Sequence, residues 1–324
     1  MAPPDPTHRT DPIERLLGLI DTHVLPDADR YTLAEVAERA GVDPQVTRRL
    51  WRALGFADPH AEDRIGGDLD VEVLRLSMEQ TVSDDGVETL IRQTRIMSAS
   101  ISRISELWVD QVRASLDSGD PDLIDGTGEL TANQDRTMWL LGYMHRRLFA
   151  AGLRRELANR TAGTGTDQTA VFADLVGFTT LTERLGPLEL SELIGAFEAI
   201  AYDTVAEHGG RLVKTIGDEV LFAADDPTVG LRASEALMRR AHDEGLPPLR
   251  AGVDHGPAVW FEGDLYGPTV NRAARLVAEA PIGAVAASAA FSAAVPDRDW
   301  IDLGRRVLKG VGPVDVLAVV VVTT

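Results

Sequence analysis

The sequence predicts an α+β chain, with an all-α first half and a second half ordered β-α-β-β-α-β. Three observations predict it. Apolar residues recur at helical spacing through the first 160 residues. A Gly- and Thr-rich stretch without apolar content, "RTAGTGTDQT" at 160–169, then separates the halves. Beyond it, short apolar runs alternate with helical stretches, and Gly217-Asp218 joins two of the runs as a hairpin turn.

In the first half, "YTLAEVAERAGVDPQVTRRLWRALGF" (31–56) reads as two short helices joined at Gly41-Val42-Asp43. Thr32 can cap the first, with Glu35 completing a capping box. Leu33, Val36, Ala37 and Ala40 supply its apolar face. The segment also resembles the helix-turn-helix of DNA-binding regulators, with Arg48, Arg49 and Arg52 on its second helix. The net charge of −9 over 1–160 opposes that reading, and the alternative is a helix pair that only packs. A long amphipathic run follows at 84–117 and ends before "DSGDPD"; another helix spans roughly 131–159.

In the second half, "TAVFAD" is a strand, and a helical stretch runs from Thr180 to His208 with Thr180 and Glu183 as its capping pair. "RLVKTI" and "EVLFAA" form the hairpin, a helix covers 227–243, and "LRAGVDHG" is a strand. An extended arm, "PAVWFEGD", leads to a helix over Thr269–Ala280, which Pro268 opens. Terminal strands fall near 283–288 and 314–322. This order is the ferredoxin-like split unit. The expected division is 1–160, a linker at 161–168, and 169–324.

Composition narrows the function classes. A chain of 324 residues with 44% apolar content suits two packed domains. With no cysteine, disulfides and thiolate metal sites are excluded. The Pro-rich, polar N-terminus is no signal peptide, and "VLAVVVV" is too short to span a bilayer, so a soluble cytoplasmic protein is expected. The net charge is −19, divided −9 and −10 between 1–160 and 161–324, which suits neither nucleic acid nor membrane as partner. An anionic substrate would need local cations or metal ions.

Three blocks carry chemistry. "VFADLVGFTTLTE" (171–183) puts Asp174 at a strand end, beside a helix start whose free amides suit phosphate oxygens. Asp218 sits at the hairpin tip, and two carboxylates on adjacent strand ends can hold hard divalent ions. "GDLYGPTVNRAARL" (263–276) places Asn271 and Arg275 four residues apart on one helix face. Finally, the chain keeps only two lysines, Lys214 and Lys309, against 30 arginines. A compact point donor at those positions is a chemical choice, because the planar Arg fork does not replace it.

"FADLVGFT", "KTIGDEVLF" and "GDLYGPTVNRAARL", in this order and spacing, resemble class III adenylyl cyclases over about residues 168–322. The resemblance implies a C-terminal ferredoxin-like class III nucleotide cyclase domain preceded by an all-α regulatory domain. It implies that Asp174 and Asp218 bind two divalent ions, Mg²⁺ or Mn²⁺, with Leu175 also at the metal site. Gly177, Phe178, Thr179 and Lys309 would contact the substrate ATP. Lys214 and Asp264 would select adenine, Asn271 would orient the ribose, and Arg275 would stabilise phosphate charge in the transition state. The base choice has a physical basis: Lys214 donates to the adenine N1 acceptor and Asp264 accepts from the N6 amine, whereas guanine reverses both groups. The family's site forms between two catalytic domains, so a single chain with the full set implies a C2 homodimer. Val259, Trp260 and Phe261 in the arm suit a dimer contact. The "GDEV" hairpin alone would also suit a diguanylate cyclase, but "DLYGPTVNRAAR" has no place there. A catalytically silent nucleotide-binding regulator remains the alternative, which the intact residue set opposes. The helical half resembles the regulatory domain of soluble bacterial pH-sensing cyclases, and His145 in "YMHRRLF" is the best-placed pH switch.

Overall fold

The computed structural model describes residues 12–19, 24–25, 29–79, 84–119, 134–162 and 167–322. Contacts divide the chain at 153/154, into Met1–Leu153 and Arg154–Thr324.

The first unit holds α1 (Pro12–Leu19), β1 (Tyr31–Thr32), α2 (Leu33–Ala40), α3 (Pro44–Ala53), β2 (Arg64–Gly66), α4 (Asp68–Glu79) and α5 (Asp84–Ser118). The capping box forms as its residues dictate: Thr32 accepts from the Glu35 amide at 3.2 Å, and Glu35 accepts from the Thr32 amide at 2.8 Å. Gly41, at φ 70°, ends α2 in the left-handed conformation that glycine adopts most cheaply. Asp43 caps α3 by accepting from the amides of Gln45 and Val46. Tyr31, Val36, Leu50, Ala53, Val71, Leu74 and Ile91 close this unit's core. On α3, Arg49 is taken up by Glu88 and Arg52 by Asp58. The next helix, α6 (Gln134–Ala162), begins in the first unit and ends in the second. It exposes Trp139, Tyr143, Leu148 and Phe149, and α5 exposes Ile101, Leu107 and Val109.

The second unit is built on one seven-stranded sheet. Its strands are β3 (Asp167–Leu175), β4 (Arg211–Ile216), β5 (Glu219–Ala224), β6 (Leu249–Pro257), β9 (Ala284–Ser288), β10 (Ile301–Leu308) and β11 (Gly312–Val320). The spatial order is β10-β11-β9-β6-β3-β5-β4, and only β6 and β9 run parallel. The interior strand β3 is apolar on both faces and buried, so helices must cover both sides. On one side, α8 (Pro187–Glu207), α9 (Pro227–Asp243) and α11 (Ala289–Ala294) pack on Val171, Ala173, Val220 and Val253. On the other, α10 (Pro268–Glu279) packs Val270, Ala273 and Val277 on Ala170, Phe172, Leu221 and Ala223. The arm is a two-stranded ribbon, β7 (Val259–Phe261) with β8 (Asp264–Tyr266). Pro268 opens α10, as expected.

Several expectations change. The stretch Thr180–His208 is two helices, α7 (Phe178–Thr182) and α8, because Gly186-Pro187 ends one run and starts the next. Thr180 and Glu183 therefore form no cap; Gly177, at φ 79°, leads into α7. Strand β10 stands where none was expected, and α11 is likewise additional. At the expected linker, α6 runs to Ala162 and β3 starts at Asp167; residues 163–166 lie outside the described residues.

Candidate active site

The pleat assigns each chemical residue to a face. Asp174 follows Phe172 by two positions on β3, so both point to the side that α10 covers. Asp174 stands opposite Glu219 on β5 and opposite Arg250 on β6. Its Oδ2 accepts from Arg250 Nε at 2.9 Å and Nη2 at 2.8 Å. Asp218 lies in the β4–β5 turn, and its carbonyl accepts from the Leu175 amide at 3.0 Å, which ties the turn to the end of β3. Burial raises the Asp218 carboxyl above its usual range, and the neighbouring Asp174 carboxylate adds to the rise. Two acids are thus held together at one end of the sheet.

A second cluster lies on β4. The pairing register of β4 with β5 shifts between Leu212 and Lys214, a bulge that re-aims the side chain. Lys214 Nζ donates to Asp264 Oδ2 at 2.5 Å. The other Asp264 oxygen accepts from the Leu265 amide at 2.8 Å. Burial pushes the Asp264 carboxyl up, but the Lys214 ammonium and the Leu265 amide outweigh it and hold the carboxyl below its usual range. The ribbon that carries Asp264 is anchored beside it, at the facing strand, where the Arg211 guanidinium lies 3.8 Å over the Trp260 ring. Trp260 also donates to Gln168, while Val259 and Phe261 remain exposed.

A third cluster is Asn271 with Arg275 on α10. Both side chains are exposed and have no hydrogen-bond or ion-pair partner among the described residues.

Residues 163–310 match the family described as adenylate and guanylate cyclase catalytic domain. An adenylate cyclase of Streptomyces coelicolor is 37% identical over 301 residues, covering 87% of this chain and 75% of the relative. One from Streptomyces griseus is 34% identical, over 88% and 73% of the two chains. A pH-sensitive adenylate cyclase of Mycobacterium tuberculosis is 30% identical, over 95% and 82%.

The chain belongs to this cyclase family.

In the cyclase domain, Lys309 stands apart from the carboxylates. It is exposed in the β10–β11 turn, four strand spacings from β3, roughly 19 Å across the sheet. Strand directions also put that turn at the end of the sheet opposite Asp174. Leu175 is buried in the core by its side chain, so only its backbone can serve a metal. The amides of Phe178 and Thr179 open α7, where intrahelical acceptors run out. His145 is exposed on α6, its ring stacked with Phe149 at 6.1 Å between centroids.

Two residues beside the carboxylates escaped the sequence reading. Arg250 looks like an ordinary strand arginine until β6 is paired with β3. Glu219 is pushed up to about 7, chiefly by burial and then by Asp174 and Asp218. A carboxyl whose pKa is higher folded than unfolded stabilises the fold by holding a proton. That stabilisation is complete below pH 4.5 and lost as pH rises through 7. With chelator present, melting temperature is expected to drop between pH 5 and pH 8 by roughly 2–4 °C more in wild type than in Glu219→Gln, after discounting for solvent access. Equal pH slopes for the two proteins would contradict the shift.

Proposed function

We propose that the chain is an adenylyl cyclase that converts ATP to 3′,5′-cyclic AMP and pyrophosphate at sites shared between two copies. The observation that carries this reading is the Lys214–Asp264 pair, one donor and one acceptor held side by side. Adenine presents the matching acceptor and donor, and guanine presents both reversed, leaving buried groups unpaired.

The carboxylates fit divalent ions. Asp174 and Asp218 face each other closely enough for Asp174 to raise the Asp218 pKa, a repulsion that a cation relieves. Among the described residues no group of three or more His, Asp or Glu side chains forms a metal cage, so the protein side supplies few ligands. Mg²⁺ and Mn²⁺ sites of this kind take water and substrate phosphate oxygens for the rest. Asp174 and Asp218 would hold two such ions, with the Leu175 backbone beside them. Bound there, the ions would lower the pKa of the ribose 3′-OH and neutralise the triphosphate. The chain's own groups do the rest. Lys214 and Asp264 fix the base, Asn271 orients the ribose, and Arg275 meets charge developing at the phosphates. Lys309 and the amides at Gly177, Phe178 and Thr179 hold the phosphate tail.

The separation of the clusters supports the two-copy arrangement. Lys309 and Asp174 lie at opposite ends and on distant strands of one sheet, so one nucleotide cannot touch both within a chain. A C2 dimer brings them together. The apolar side chains exposed on α5, α6 and the ribbon favour such pairing. We read 1–160 as a regulatory domain and 169–324 as the catalytic domain, joined by a linker within 161–168, in a cytoplasmic enzyme with no nucleic acid partner. Two of the three α3 arginines are already taken by carboxylates. We read regulation as pH-dependent, with His145 as its switch, by likeness to the pH-sensitive relative.

The test is turnover by the full-length protein with ATP or GTP, under Mg²⁺ or Mn²⁺, at mildly acid and alkaline pH. Cyclic AMP is expected, at a rate at least about 100-fold above cyclic GMP, and faster at acid pH. Absence of cyclic AMP under every condition would reject the activity, and a flat pH profile only the regulation.

A further inference from the structure

Helix α10 turns Asn271 and Arg275 outward, and three contacts on its inner face fix it to β6. In its first turn, Thr269 donates its hydroxyl to the Pro257 carbonyl at 3.0 Å. One turn on, Arg272 Nε donates to Asp254 Oδ2 at 2.5 Å. Next, its backbone lies on Gly252, where a Cβ would stand 2.4 Å from the Ala273 carbonyl oxygen and 2.4 Å from the Val277 amide nitrogen. Only glycine allows that approach.

Asp254 is the unusual member. Its side chain is 1% exposed, in the middle of a sheet. Its second oxygen accepts from the Ser288 hydroxyl at 2.6 Å, and Ser288 caps α11 by accepting from the Phe291 amide at 3.1 Å. Both carboxylate oxygens are therefore engaged, one on β9 and one on α10. A buried ion pair is weak evidence for stability, since apolar residues of similar size often serve as well. What a charge-assisted bond adds is direction. The apolar contacts of α10, Ala273 and Val277 among them, are non-directional. The Arg272–Asp254 bond is directional and fixes the rotation of the helix beside them. Arg272 follows Asn271 directly and precedes Arg275 by three, so its anchor sets the height and rotation of both.

We propose that Asp254 is a positioning residue for the cyclase reaction: through Arg272, and braced by Ser288, it sets the register of α10 that presents Asn271 and Arg275 to substrate. This rests on the function proposed above. A displacement of about 1 Å at such a group costs on the order of 100-fold in rate.

The test uses the full chain with Arg272→Met and Asp254→Asn combined, which removes the pair without leaving a lone buried charge. Values of kcat and KM for ATP are measured in the wild-type and the Arg275→Ala backgrounds, beside melting temperature and dimer mass. In the wild-type background kcat is expected to fall about 10–100-fold, with KM within about threefold. In the Arg275→Ala background the same change should cost less than in the wild-type background, because one of the two groups being positioned is gone. Unchanged kcat in a folded dimer, or equal losses in both backgrounds, overturns the proposal. If Arg275→Ala alone leaves kcat intact, the fault lies instead with the role given to Arg275. Should the double variant not fold, Arg272→Gln, which keeps a neutral donor toward Asp254, decides by the same two readouts.

Discussion

Asp174→Ala is expected to lower cyclic AMP formation at least about 1,000-fold, with the dimer intact. Asp174 lies at the end of the interior strand β3, and its side chain is 16% exposed. Two elements converge on it. Arg250 donates from β6 with two nitrogens, and Asp218 approaches from the β4–β5 turn. Removing the carboxylate takes away one of only two side chains assigned to the ions, so neither activation of the 3′-OH nor neutralisation of the triphosphate survives. Asp174→Asn keeps the size and the Arg250 hydrogen bond but not the charge, and it should fail almost as badly. Dimerisation should persist, because the apolar surfaces on α5, α6 and the ribbon are untouched. The measurement pairs turnover at saturating ATP and Mn²⁺ with mass by light scattering. Activity within tenfold of wild type would remove Asp174 from the metal site; loss of the dimer would make the activity loss uninformative about metals and assign Asp174 to assembly.

How much of this could be read from the chain depends on whether the signal was local. The Thr32–Glu35 box, Gly41, the Gly217-Asp218 turn and Pro268 are all local, and each turned out where its chemistry puts it. The break at Gly186-Pro187 was equally local but hidden inside an apolar run that reads as one helix. Strand β10 gave no signal because it is an edge strand whose residues are mostly exposed, and only Leu308 of its eight is buried. At the site, Asp174, Asp218, Lys214 and Asp264 were named by motif, although 50 residues separate the last two. Arg250 and Glu219 were missed because their role exists only once β3 lies between β5 and β6. Asp254 and Arg272 were missed for the same reason, since a strand acid and a helix arginine 18 residues apart each have an ordinary surface explanation.

Mixing two inactive variants is expected to restore activity. In the proposed mechanism Asp174→Ala would lack the metal carboxylate and Arg275→Ala the cation for the transition state, so each homodimer would have two broken sites. In a C2 heterodimer whose sites draw Asp174 from one copy and Arg275 from the other, both lesions fall in one site and the second is wild type. Equal amounts that exchange freely give half heterodimers, each with one of two sites intact. The expected specific activity is therefore about a quarter of wild type, against a background lower by orders of magnitude. The geometry within one chain motivates the experiment, since Lys309 and Asp174 occupy opposite ends of the same sheet. The alternative, a site complete within each chain, predicts no recovery at any ratio, because every copy then carries its own lesion. Co-expression of differently tagged chains followed by tandem purification isolates the heterodimer and raises the expectation to about half. A pure heterodimer without activity, made from two folded variants, would place Asp174 and Arg275 in the same site of the same chain.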